Sequence, residues 1–139
     1  MKSLETLIKL EKARVDDHRR MLVQLQDVLE RIEQEIAELI ASRLHEEKVA
    51  RTAPPAERLT LEPFLAQLRL RLEQLTQAKA DANAAIETAR ERLAEVFETQ
   101  KRYEIIRDQR AAFAVAEEKR QEQLTLDETA AVTHQRKVD

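Results

Sequence analysis

All three prolines of this chain, Pro54, Pro55 and Pro63, fall within ten residues, and glycine is absent. A soluble domain of this length carries roughly ten glycines on average. Glycine is the usual residue of left-handed turns and helix C-caps, and proline breaks helices. A chain with one cluster of breakers turns sharply about once. The pattern predicts an all-α, long antiparallel two-helix coiled-coil hairpin in a single domain, residues 1–139. Helix 1 is expected over about 3–52 and a proline turn over about 53–60. Helix 2 is expected over about 61–125 or longer, followed by a mobile C-terminal tail. Such a chain works by touching other proteins rather than by enclosing a substrate.

Composition supports this reading. Ala, Glu, Lys, Leu and Arg supply 82 of the 139 residues, a proportion typical of coiled coils and long helices. The aromatics are only Phe64, Phe97, Phe113 and Tyr103, too few for the bulk of a packed globular core. The formal net charge is −3, from 24 basic and 27 acidic residues finely mixed along the chain. No half is strongly basic and stacking aromatics are missing, which argues against nucleic acid as a partner. The lack of cysteine suits a reducing cytoplasm. Charge within Met1-Lys2-Ser3-Leu4-Glu5 interrupts what would be an apolar signal core. The longest apolar run, Ala111–Ala116, is far short of the roughly 20 residues that span a bilayer.

Written as heptads, helix 1 places Met1, Ile8, Val15, Leu22, Leu29, Ile36 and Arg43 at a. Its d positions are Leu4, Glu11, His18, Leu25, Ile32, Leu39 and Glu46. Helix 2 places Leu65, Leu72, Lys79, Ile86, Leu93, Gln100 and Arg107 at a. Its d positions are Leu68, Leu75, Ala82, Ala89, Val96, Tyr103 and Arg110. A mostly apolar 3.5-residue period held this long is the coiled-coil signal. Folding at the prolines sets residue i opposite roughly residue 111 − i, the antiparallel pairing of equal arms. Glu11 then falls beside Gln100 and Lys101, and Lys79 near Glu33 and Glu35, giving seam charges opposite partners. Pairs such as Glu5–Lys9, Asp16–Arg20 and Glu47–Arg51 have the i,i+4 spacing that supports a helix. Helix 1 should end near Arg51 or Thr52, ahead of the prolines. Thr60 is a candidate cap for helix 2, with Pro63 in its first turn.

After Tyr103 the seam drifts, and residues from about 112 onward lack a partner in the same chain. A second helix that overhangs the first and carries Phe113, Val115, Leu124 and Leu126 needs another protein or frays.

Catalytic and cofactor chemistry finds no support. His18, His45 and His134 have no His, Asp or Glu at i±3 or i±4, so none forms a one-face metal pair. His18 reads as a polar seam residue, and the other two as exposed. Asp16 and Asp17 point to different helix faces and read as salt partners of Arg19 and Arg20. Without glycine there is no phosphate-cradling loop. The reading is of a non-enzyme without cofactor or metal.

The stretch Leu4-Glu5-Thr6-Leu7-Ile8-Lys9-Leu10, with Val15-Asp16-Asp17 and Leu22, resembles the opening of the FliJ family of flagellar type III export proteins. Gln100-Lys101-Arg102-Tyr103-Glu104, Asp108-Gln109-Arg110, Gln123 and Leu126-Asp127-Glu128 resemble that family's second-helix signature. The resemblance covers essentially the whole chain. The double proline departs from it, making a shorter and stiffer turn than in many relatives.

The resemblance implies a cytoplasmic hairpin, similar in shape to the central stalk of rotary ATP synthases and peripheral to the inner membrane at the flagellar base. The termini of such a stalk enter the hexameric export ATPase, promoting ring assembly and ATP turnover. The turn-proximal end reaches the cytoplasmic domain of the membrane export gate, and export chaperones also bind. The expected ATPase-ring interface is Asp16, Asp17, Gln100, Lys101, Glu104, Arg110, Asp127 and Glu128. The expected export-gate interface is Glu35, Leu39, Ser42, Phe64 and Leu68. The plain alternatives are exposed charge for the first set and seam packing for Leu39 and Leu68. A homodimeric structural coiled coil, a prefoldin-like holding chaperone and the stalk of a virulence-type injectisome are the competing readings.

Overall fold

The computed structural model describes residues 3–138, so the a position assigned to Met1 lies outside the described residues. Two helices make up the fold, α1 (Leu4–Thr52) and α2 (Pro55–Val138), and no strand occurs among the described residues. They pack as an all-α antiparallel hairpin. By contacts the chain divides into two units. One is Arg14–Glu95, holding the turn and both arms beside it. The other joins Met1–Ala13 to Val96–Asp139.

Burial follows the heptads. In the turn-containing unit Val15, Leu68, Leu75, Ala82, Ile86 and Ala89 are buried, and Leu22, Leu25, Leu29, Ile32, Ile36 and Leu39 are half-buried. In the other unit Ile8 is the largest fully buried side chain, at 2% exposure. Each large aliphatic group so covered stabilises by roughly 1.5–3 kcal/mol. Polar seam residues keep their places too. Glu11 and Gln100 are buried, and His18, Arg43, Glu46, Lys79 and Arg107 are half-buried, while Arg110 is exposed. The seam ends at Arg107. Beyond it Glu117 alone is half-buried, and the other described residues to Val138 are exposed.

At the start of α1, the Ser3 hydroxyl accepts the Thr6 amide at 3.2 Å, and the Ser3 carbonyl accepts the Leu7 amide at 3.1 Å. This is an N-cap, satisfying donors the first turn leaves free. α1 ends at Thr52, where the double proline stops it.

The turn is tighter than the sequence suggested. α2 begins at Pro55, not near 61, leaving Ala53 and Pro54 as the connection. Pro55 takes the first helical position, where its fixed φ fits and its missing N–H costs nothing. The Pro54 carbonyl accepts the Glu57 and Arg58 amides at 3.0 and 3.2 Å. Thr60 is therefore inside the helix and donates back to the Glu57 carbonyl at 2.8 Å, so it is not the cap. Pro63 stands about two turns into α2 rather than in its first turn, where it withholds a donor from the Leu59 carbonyl. Arg58 clasps the turn, donating from Nε to the Ala53 carbonyl at 3.1 Å and from Nη2 to the Arg51 carbonyl at 3.3 Å.

Candidate functional site

On α1, Asp16 and Asp17 project into solvent in the turn-containing unit. Asp17 accepts from Arg20 at 2.6 Å, and Asp16 stands 3.8 Å from Arg19. The pairing is i,i+3, so the Asp16–Arg20 partnership expected at i,i+4 is replaced by Asp17–Arg20. Glu47 stands 3.8 Å from Arg43, an i,i+4 pair on its other side from Arg51.

The six α2 residues expected at the ATPase lie in the other unit, and three of them are bonded together. Gln100 is buried in the seam, and its amide donates to Glu104 Oε1 at 3.0 Å. Lys101 donates to Glu104 Oε2 at 3.0 Å, and its Nζ stands 5.2 Å from the centre of the Phe97 ring. These bonds favour the ionised carboxyl. The Gln100 amide first, then the Lys101 ammonium, hold Glu104 below the usual glutamate value, with Lys12 adding a weaker attraction. Gln100 thus occupies a packing position from which it orients Glu104. Further along, Arg110 and Glu128 are exposed, and Asp127 accepts from Gln123 at 3.1 Å.

The five residues expected at the export gate all belong to the turn-containing unit. Glu35, Ser42 and Phe64 share the g position of their heptads, and Arg71 on α2 joins them. Arg71 donates two hydrogen bonds to Glu35 Oε1, at 3.3 Å from Nε and 2.9 Å from Nη2. Both groups stand on the flank where g meets g in an antiparallel pair, which is why Arg71 holds Glu35. Lys79 meets Glu33, one of its two expected partners, at 3.7 Å. Phe64 is 44% exposed on this flank, whereas Leu68 is only 7% exposed and packs in the seam. Leu39 is half-buried. Arg71 and Phe97 are the members the sequence reading passed over. The g-to-g spacing could have revealed the first, and the i,i+4 step from Phe97 to Lys101 the second.

Among the described residues no group of three or more His, Asp or Glu could hold a metal ion. No helix among them is long and apolar enough to cross a membrane.

A glycine-free helical hairpin with charged, unpaired helix surfaces defines a coiled-coil interaction protein. The sequence model of the FliJ family, described as flagellar FliJ protein, matches residues 1–139. The chain belongs to that family, and is a component of the flagellar type III export apparatus. No curated protein and no solved structure matches the chain significantly.

Proposed function

We propose that this chain is the non-enzymatic stalk of the export ATPase. It acts in the cytoplasm, peripheral to the inner membrane at the flagellar base. The observation that carries the reading is the bare part of α2 beyond Arg107 in a chain matched end to end by this family. A helix that keeps Phe113 67% and Leu126 64% exposed is suited to a protein partner. In this reading the ATPase ring takes the helix ends, with Asp16 and Asp17 on α1 and Lys101, Glu104, Arg110, Asp127 and Glu128 on α2. Gln100 positions Glu104. Binding promotes ring assembly and ATP turnover. The export gate takes the g flank of Glu35, Ser42 and Phe64, with Leu39 and Leu68 supporting it from the seam. Empty export chaperones are further partners.

The test is charge reversal. Asp127→Lys with Glu128→Lys should reduce ATPase activation about tenfold or more while circular dichroism stays unchanged, because both carboxylates lie outside the seam. Full activation by that variant would remove these residues from the ring surface.

A further inference from the structure

We infer that the bare part of α2 pairs with the same segment of a second copy of this chain, antiparallel, about a two-fold axis between Glu118 and Lys119. The pairing itself rests on the geometry of α2 alone; only its consequence for ring binding rests on the stalk reading. At 3.6 residues per turn, Ile106, Phe113, Leu124, Ala131 and Val138 fall within an arc of about 60°. All are exposed; Phe113 is 67% and Leu124 46% exposed. This stripe lies to one side of the seam that α1 covers, so α1 does not compete for it. Val115 and Leu126 point the opposite way and stay outside the pairing.

The stripe is self-complementary. The two-fold sets Phe113 against Leu124 of the second copy, and Ile106 against Ala131. Between the two Phe113–Leu124 layers it sets Glu117 against Arg120. Within one chain these two already form an ion pair at 3.2 Å, so each copy offers both charges to the other. On one flank Arg110 meets Glu128 of the second copy; on the other Gln109 meets Asp127. An isologous interface requires that a patch match itself in this way. A central Glu117–Arg120 layer adds little stability but fixes register, since any shift sets an apolar group against a charge. Few apolar side chains contribute, so the dimer is weak and reversible. It covers Arg110, Asp127 and Glu128, so on the stalk reading self-pairing and ring binding exclude each other.

The full chain, alone, is followed by sedimentation equilibrium from about 1 to about 500 µM. A concentration-dependent monomer–dimer equilibrium is expected. Arg110→Glu should raise the dissociation constant about fivefold to tenfold, and Arg110→Glu with Glu128→Arg should restore it. The chain has no cysteine, so Phe113→Cys with Leu124→Cys gives a clean second readout. The two positions are about 16 Å apart along one helix and cannot bridge within a chain. Oxidation should yield a covalent dimer linked between positions 113 and 124. A monomer across the whole range, or cross-links that join 113 to 113 as readily as 113 to 124, would overturn the inference.

Discussion

At the residue scale, a few side chains do what their neighbours cannot. Ile8 is 2% exposed and the largest fully covered group. Ile8→Ala should cost about 2–4 kcal/mol, read as a fall in the denaturant midpoint. Pro63 works against its helix, because it gives the Leu59 carbonyl no donor. Pro63→Ala should therefore raise stability by about 1–3 kcal/mol, and a loss instead would mean that the proline ring packs usefully. Glu104 supplies a pH signature. Its carboxyl is held below the usual value by Gln100 and Lys101. A depressed pKa stabilises the fold above the unfolded-state value, and that contribution is lost as pH falls through the folded-state value. Carbon-detected NMR should find Glu104 titrating below an ordinary glutamate, and Gln100→Leu should move it back up. An unchanged titration in that variant would make Lys101 the dominant cause. If the proposed gate surface is right, Phe64→Ala should weaken gate binding with little loss of fold, since the ring is 44% exposed. A large drop in melting temperature would make it a packing residue.

At the scale of the helices, the seam was legible because burial obeys the 3.5-residue period, and each a and d position from Leu65 to Arg107 is at least half-buried. Even Lys79 and Gln100 stayed in register, held by neighbours at a fixed spacing. The turn was less legible. A Pro-Pro pair reads as a breaker, yet the second proline is well placed at a first helical position, which shortened the connection to Ala53 and Pro54. Ion-pair partners were legible only in part. Asp16 and Asp17 pair with Arg19 and Arg20 and Lys79 with Glu33 as expected, but Asp17 rather than Asp16 takes Arg20, and Glu35 takes Arg71. Side-chain reach decides between i,i+3 and i,i+4, and between g and a, and the letters do not encode it. The bare part of α2 has no tertiary packing to protect its amides. Hydrogen exchange should run much faster over 112–138 than over 65–107, fastest in the last turns of α2. Equal protection of both stretches in dilute protein would point to a partner or a dimer already in place.

At the scale of the whole molecule, the family was legible from short stretches spread along the chain, and the family model matches residues 1–139. The two proposed surfaces were only partly legible. Exposed charges look alike in sequence, and it took geometry to separate the bonded Gln100–Lys101–Glu104 group from the open Arg110 and Glu128, and the seam residue Leu68 from the flank residue Phe64. Among the described residues no cluster that could hold a metal marks a role. On the stalk reading, function lies in which protein covers the surface left bare. The deciding measurement mixes the purified chain with the flagellar export ATPase of the same organism, following ATP turnover and ring formation together. The stalk account predicts that both rise with added chain and saturate at a fixed ratio of chain to ring. No change in either, with the hairpin folded and the ATPase competent, would contradict it.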